Sequence, residues 1–494
     1  MTPHRVLPWT VLFLGLAAGV GNAEPHRELP VDEQIEPVGV AHLHARAPRK
    51  GRALGLDEVL ASVEEHFPLI RAALLDVRAA EAELLAADGA FDPILRAQGG
   101  TVPYGEYPHW RLDTVVEQPT PLWGTSFLGG YRMGTGPLAP YDGKRETNQL
   151  GELRAGFSVP LARNGWTDRR RANLERASLG RRISQLGVTQ ARLETVRAAT
   201  VRYWAWVAAG ARLRVAQDLL DLALERERAL HVRLARGDVA DIEVTENLRA
   251  ILQRRAALVA AQRGLEQAAI DLSLYLRDPM GQPRLALAAA LPDRLPEPRA
   301  SEAQQKDNDL QAALAARPDA ARLAAVQQQQ RVDLDLAHNQ LLPQVDVTVM
   351  GSQDFGYGKP GRARPELEAF VTVEVPLPGR TGLGRVDAAQ AALRRTQEQL
   401  RFQKDRIVAE VRDALSAMEA ARQRVALARQ EVTVAQRLEG LERHRFDLGD
   451  STLLIVNLRE TATAEAALRE VDAMLEYQRF LAEYLAATAA VARR

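Results

Sequence analysis

The stretch VPLPGRTGLGRVDAAQAAL, residues 375–393, joins two kinds of secondary structure. Residues 367–376 alternate between apolar and polar side chains, which is typical of a β-strand. After the Gly-rich bend the sequence predicts a helix of roughly sixty residues, which ends at residues 445–450. A second helix follows and runs back in the opposite direction. At about 1.5 Å per residue the outgoing helix is on the order of 95 Å long, which no ordinary globular core requires.

The same order of features occurs earlier in the chain, where a Val-Pro-Leu strand end leads through Asn164-Gly165 into another long helix that breaks at residues 233–238. Matching positions recur at consistent offsets: 250 for Pro68/Pro318 and Pro93/Pro343, 216 for Pro160/Pro376, and 212 for Gly237/Gly449. The chain is therefore predicted to be a tandem duplication. The differences between the offsets place about 34 extra residues in the strand region of the first copy and four in its long helix.

The N-terminal residues predict export from the cytoplasm. Residues 1–23 combine His4 and Arg5 with an apolar run and a Gly-Asn-Ala end, as in a secretory signal peptide. A membrane anchor is the alternative, although the apolar run is shorter than the roughly 20 residues of a span. Residues 24–55 are rich in Pro, Arg and His without periodicity, which predicts a flexible arm.

The remaining chain is predicted to have three parts. Residues 56–277 form the first repeat, with a helix, barrel strands that include an extra hairpin, and a long helical hairpin. Residues 278–317 form a Pro-rich equatorial connector, because five prolines between 279 and 298 interrupt any long helix. Residues 318–494 form the second repeat, again with a helix, barrel strands and a long helical hairpin.

Composition excludes several functions. The chain has 64 basic and 64 acidic residues, so its net charge does not favour nucleic acid, although the start of the first long helix is rich in arginine. It has no cysteine, which excludes disulfides, a thiol nucleophile, cysteine metal sites and a lipid-modified N-terminal cysteine. Its nine histidines show no metal or triad spacing. We therefore predict no enzyme activity, no catalytic residue, no cofactor and no metal.

Alternating segments predict strands that meet lipid on one side. Residues 343–351, 367–376 and 153–159 each place apolar side chains on one face and polar ones on the other, with Phe370 the exception. A period of two over about ten residues is the pattern of a membrane β-strand. The extra residues of the first copy, between 104 and 149, contain similar stretches near 112–117 and 127–133. They predict either an added hairpin or a long surface loop.

The long helices carry a narrow apolar seam. In the second copy Val411, Met418, Val425 and Val432 recur every seven residues, and alanine fills many neighbouring positions. Such a seam predicts closely packed antiparallel or supercoiled helices.

Several motifs occur in one order, and partly twice, along residues 56–490. They are Leu-Ala-Ala-Arg-Pro-Asp at 314–319, Leu-Leu-Pro-Gln at 341–344, the two Val-Pro-Leu strand ends, and helix breaks of the form Arg-x-x-x-Gly-Asp and Phe-x-x-Gly-Asp-Ser. Together they resemble the bacterial outer membrane efflux protein family, the TolC-like outer membrane factors. The resemblance implies a mainly α fold with a β-barrel portion. Its protomer is tandem-duplicated and gives four β-strands to a shared 12-stranded membrane barrel, which a long helical tunnel continues in a trimeric channel.

The resemblance also implies a function. It is that of an outer membrane channel of a tripartite efflux pump or type I secretion system, a passive duct with its helical part in the periplasm. The expected partners are two further copies in a homotrimer, a periplasmic adaptor (membrane fusion protein), an inner-membrane transporter and outer membrane lipid, without nucleic acid. Four strands cannot close a barrel alone, since the smallest membrane barrels have about eight. A periplasmic adaptor and a structural coiled-coil protein are the alternatives.

The family pattern assigns roles to the two helix breaks. They are expected to be the periplasmic tips where the adaptor docks, and the first turns after them should line the pore aperture. In the second copy apolar residues stand where the best-known family members have acids, which suggests a partly apolar gate. The expected docking residues are Arg236, Gly237, Asp238, Gly449, Asp450 and Ser451, and the expected aperture residues are Asp241, Glu243, Glu246, Ile455 and Leu458.

Overall fold

The computed structural model describes residues 53–137, 146–298 and 303–490. The predicted signal peptide and most of the predicted arm lie outside these ranges. At the end of the arm, Leu54 is buried and its N–H donates to the carbonyl of Ala290 at 2.8 Å. The described chain forms eight helices and six strands. The helices are α1 (Leu56–His66), α2 (Pro68–Asp88), α3 (Arg169–Ala235), α4 (Asp241–Ser273), α5 (Ala303–Ala316), α6 (Pro318–Asn339), α7 (Arg380–Asp447) and α8 (Leu453–Ala487).

The duplication is visible in the helices. α3 has 67 residues and α7 has 68, so each is about 100 Å long. α4 and α8 return along α3 and α7 from the tips, and the shorter α2 and α6 pack against the portions nearer the strands. No helix within the described ranges is both long enough and apolar enough to cross a membrane.

The predicted seam of α7 is confirmed as far as Ala428. Val411, Met418 and Val425 are buried, as are Ala421 and Ala428. They belong to a core that also contains Trp206, Leu272 and Tyr477 of the neighbouring helices. Because small side chains separate the larger ones, the helix backbones approach closely along this seam.

The strands form one antiparallel sheet in chain order. They are β1 (Ile94–Val102), β2 (His109–Pro119), β3 (Ser126–Thr135), β4 (Glu152–Pro160), β5 (Gln344–Asp354) and β6 (Glu366–Glu374). The prediction of four strands per protomer is therefore wrong, because there are six. The physical reason is that the extra segment of the first copy pairs on both sides, β2 with β1 and β3 with β4, and so lies inside the sheet.

The four extra residues of the first copy also lie elsewhere than predicted. They do not lengthen the helix, since α3 and α7 differ by one residue. Instead residues 161–168 connect β4 to α3, whereas only residues 377–379 stand between Pro376 and α7. The longer connection ends at Asp168, whose side chain caps α3 by accepting the N–H of Arg171 at 2.9 Å.

Candidate functional site

The two helix breaks have the same backbone geometry. Gly237 has φ +82° and Gly449 has φ +81°, a left-handed conformation that glycine adopts without a steric penalty. After each glycine, the next N–H reaches back to a carbonyl five residues earlier: Asp238 to Arg233 at 2.9 Å and Asp450 to Arg445 at 2.8 Å. This is the Schellman arrangement that ends many helices. The sequence repeat at these positions is thus a repeated helix-ending motif.

The predicted docking residues lie at these turns and differ in their local contacts. Arg236, Gly237 and Asp238 are exposed. At the second turn the Asp450 carboxylate pairs with Arg445 at 3.2 Å, and the Ser451 hydroxyl donates to Glu442 at 2.5 Å. The two turns are neighbours, because the guanidinium of Arg233 lies 5.7 Å from the ring centre of Phe446.

The Gly449→Ala variant should lose about 1 kcal/mol of stability, because any Cβ is disfavoured at this positive φ. No heavy atom lies within 4 Å of the Cβ position, so backbone conformation alone sets this cost. Gly440→Ala is the matched control in the interior of α7, where alanine should stabilise by about 0.5–1 kcal/mol. Thermal unfolding of the two variants should shift in opposite directions, and an unchanged Gly449→Ala would contradict the strained-turn interpretation.

The predicted aperture residues lie on two different helical hairpins. Asp241, Glu243 and Glu246 stand in the first two turns of α4, whereas Ile455 and Leu458 stand in those of α8. Ile455 and Leu458 are exposed in the protomer. Glu246 is bound by Arg249 one turn later at 2.6 Å, and this hydrogen bond and charge hold the pKa of Glu246 below its ordinary value. Arg249, which the aperture prediction did not include, therefore compensates the negative charge of Glu246.

A buried charged cluster joins the two hairpins above the tips. The side chain of Glu460 on α8 has no exposed surface, and Arg226 of α3 is bonded to it. Arg254 of α4 binds its other oxygen at 2.8 Å, and Arg443 of α7 lies at 3.0 Å. Asn457 accepts a further hydrogen bond from Arg226 at 2.7 Å. These five residues, the Glu460 cluster, connect all four helices near the tips, with Glu460 and Arg226 each eleven residues from the glycine of their own tip.

The electrostatics of the Glu460 cluster follow from burial and charge. Burial by itself would raise the pKa of Glu460, but Arg226 and Arg254 outweigh it and hold that pKa below its ordinary value. Burial lowers the pKa of Arg226, and the neighbouring positive charges of Arg254 and Arg443 act in the same direction. Glu460 therefore compensates the two buried guanidinium groups of Arg226 and Arg254, whereas Arg443 also pairs with Glu439 at 2.6 Å. The cluster thus depends on Glu460.

Sequence reasoning missed this cluster. The partners of Glu460 lie 206 and 234 residues away on α4 and α3, and only the packing of the two hairpins brings them together. The duplication does not point to it either, since Leu248 stands at the position that matches Glu460 at the offset of 212.

The hairpins leave many large apolar side chains uncovered in a single chain. Extensive apolar exposure of this kind is typical of a surface that another molecule covers. The exposed side chains near the tips and along the long helices include Ile242, Leu248, Leu252, Val259, Leu427, Val434, Leu441, Leu454 and Leu458.

The sheet also has two edges that no strand within the described residues pairs with. β1 and β6 each pair with one strand of the chain, on their inner side. Their other sides expose backbone N–H and C=O groups, which are costly in lipid unless a further strand pairs with them. The sheet is therefore incomplete as a membrane structure by itself.

Several solved structures of bacterial outer membrane proteins, some of them channels, are similar to this chain in fold. CmeC of Campylobacter jejuni is 14% identical, with 88% of this chain and 85% of CmeC covered and a TM-score of 0.59. VceC of Vibrio cholerae is 16% identical, with coverages of 88% and 95% and a TM-score of 0.61. MtrE of Neisseria gonorrhoeae is 18% identical, with coverages of 92% and 97% and a TM-score of 0.60. The chain thus has the fold of this class of channel.

The second half of the chain adds a family match. Residues 310–489 match the profile of the outer membrane efflux protein family. The resemblance expected from the sequence motifs is therefore confirmed over most of the second repeat. No curated protein sequence gives a match to the chain.

Proposed function

We propose that this protein is an outer membrane channel of a tripartite efflux pump or a type I secretion system, a passive export duct across the periplasm and the outer membrane. One observation carries the proposal: a sheet with two open edges is joined directly to two helical hairpins whose longer arms are about 100 Å long. The sheet suits a membrane wall, and the hairpins suit a tunnel across an aqueous compartment.

The open edges and the uncovered helices support a homotrimer. Strands β1 and β6 run antiparallel to each other, because six strands alternate in direction, so β6 of one protomer can pair with β1 of the next. A ring of three copies closes the wall and covers the apolar helix surfaces at once. Outer membrane lipid then contacts the outer face of the sheet.

The tips are the proposed docking site for a periplasmic adaptor, which links the channel to an inner-membrane transporter. They are the parts of the helical hairpins farthest from the sheet, and they expose charged and polar groups on well-defined turns. The proposed docking residues remain Arg236, Gly237 and Asp238 of the first tip and Gly449, Asp450 and Ser451 of the second.

The proposed function is tested by reconstituting the purified protein in planar lipid bilayers. We expect discrete conductance steps from a trimer that needs detergent for solubility. A water-soluble monomer without conductance and without a β-sheet signal in circular dichroism would overturn the proposal.

The proposed aperture gives a second prediction in the same assay. Replacing Ile455 and Leu458 together by serine should raise single-channel conductance, because hydroxyl groups hydrate a constriction that apolar side chains keep dry. Leu438→Ser is the matched control, since Leu438 is an exposed leucine of α7 about 16 Å from the tip. If the double variant conducts like the control, these two side chains do not line the narrowest point.

A further inference from the structure

The hairpin formed by β2 and β3 has no counterpart in the second repeat. The offsets match β1 with β5 through Pro93/Pro343 and β4 with β6 through Pro160/Pro376. β2 and β3 stand between β1 and β4, with continuous pairing from Ile94 opposite Glu117 to Val102 opposite His109 on one side. On the other side Ser126 to Arg132 pair with β4. The inserted hairpin is therefore part of the sheet.

The hairpin continues the apolar face of the sheet. Residues directly opposite each other share a face, so the register places Val116 with Leu95 and Phe127 with Phe157. Phe157 in turn lies opposite Val349 of the second repeat. Val116, Phe127 and Phe157 are all exposed. One apolar face thus runs across both repeats and the insertion, as in a wall that faces lipid.

The opposite face of the hairpin carries charges that compensate each other across strands. Arg132 of β3 binds Asp113 of β2 at 3.3 Å and lies 3.5 Å from Glu152 of β4. Arg96 of β1 binds Glu117 of β2 at 2.6 Å. Positive and negative side chains thus pair with each other across the four neighbouring strands β1 to β4. A face of this kind suits a hydrated lumen rather than lipid.

The hairpin is also fixed at its helical end. Its turn, residues 120–125, packs against the longer connection between β4 and α3: the Trp123 indole donates to the carbonyl of Pro160 at 3.0 Å and its ring lies 4.8 Å from that of Trp166. Gly124 has φ +64°, and a Cβ there would lie 2.5 Å from the carbonyl oxygen of Asn164. The two insertions of the first copy thus form a single unit, and the longer connection adapts α3 to a wider sheet.

We propose that the barrel shared by three protomers has eighteen strands, six from each protomer, and encloses a wide, charge-balanced lumen. This inference rests on the proposed function. Barrel diameter grows roughly linearly with strand number, so the lumen is about 1.5 times as wide as that of a twelve-stranded barrel. Such a lumen admits bulky hydrophilic solutes without preference for one charge.

Single cysteines at neighbouring valines of β2 test whether the hairpin lies in the wall. The chain has no cysteine of its own, so each introduced thiol is the only one. Val115 lies opposite Arg96 on the polar face, and Val116 lies opposite Leu95 on the apolar face. In channels reconstituted in lipid, Val115→Cys should react with a charged, membrane-impermeant thiol reagent and its conductance should fall, whereas Val116→Cys should be protected. Equal reactivity of the two, or protection of both, would overturn the proposal.

Strand number is measured by cryo-electron microscopy of the channel in lipid nanodiscs, with a variant that lacks residues 109–135 as comparison. We expect eighteen strands in the full chain and twelve, in a barrel about two thirds as wide, in the deletion variant. Conducting channels with twelve strands, whether from three protomers with the hairpin outside the wall or from two protomers, would overturn this inference while leaving a channel function intact. Absence of any ring or conductance would instead refute the proposed function.

Discussion

Replacing Glu460 by alanine should lower the free energy of unfolding by about 3–5 kcal/mol, the usual cost of removing one partner of a buried ion pair. The reason is that the buried guanidinium groups of Arg226 and Arg254 would then lose the carboxylate that pairs with them, while Arg443 would keep Glu439. Because these residues stand on four helices, the loss should also weaken the attachment of one helical hairpin to the other. Chemical denaturation in detergent, followed by far-ultraviolet circular dichroism, measures the change.

Glu465→Ala is the matched control for this prediction. Glu465 lies on the same helix, but its side chain is 60% exposed and its contact with Arg469 is long, at 3.8 Å. Removing its carboxylate should therefore lower the free energy of unfolding by less than about 0.5 kcal/mol. Similar losses in the two variants would mean that the Glu460 cluster contributes nothing specific.

The same cluster gives a pH dependence with a definite sign. The pKa of Glu460 in the folded chain lies below its ordinary value of 4.5. Its stabilising contribution is therefore complete above that ordinary value and is lost as the pH falls through the lower folded value. The stability difference between the natural chain and Glu460→Gln should be largest at neutral pH and should shrink below about pH 4.5. A difference that grows in acid would contradict the assignment.

Local sequence patterns predicted most elements of the fold. Helix breaks at Gly237 and Gly449 follow from glycine at a left-handed turn, and the alternation in residues 343–351 and 367–376 follows from strands with one apolar and one polar face. The number of strands could not be predicted from these local patterns. Residues 112–117 and 127–133 show alternation, but whether they form a loop or part of the wall depends on pairing with β1 and β4. That pairing is a long-range property that periodicity does not contain.

The candidate site was predictable only in part. The tips could be located because each is a short motif that occurs twice. The Glu460 cluster could not, since charged residues on long helices are usually exposed and nothing local distinguishes Glu460 from Glu465 on the same helix. The four extra residues of the first copy were placed wrongly, in the long helix, for a similar reason. Offsets count the residues between two matched positions but do not say where between them the extra residues lie.

Two aromatic residues of α3 lie in the core that joins the two repeats. Trp206 is fully buried, and Tyr203 one turn earlier donates its hydroxyl hydrogen to the carbonyl of Leu54 at 2.8 Å. They belong to the core that joins α3 to helices of both repeats, including Ile407 of α7 and Tyr477 of α8. Their burial places these two aromatics in the core rather than on a binding surface.

Trp206→Ala should therefore destabilise the chain by about 3–5 kcal/mol, because it leaves a large cavity where four long helices meet and side chains fixed on rigid helices cannot collapse into it. Trp204→Ala is the matched control: Trp204 is two residues away and partly exposed, so its loss removes less buried surface and opens the site to water. Thermal unfolding should show a much larger decrease for Trp206→Ala. Equal destabilisation of the two variants would contradict the prediction that the buried Trp206 contributes more to the core than Trp204 does.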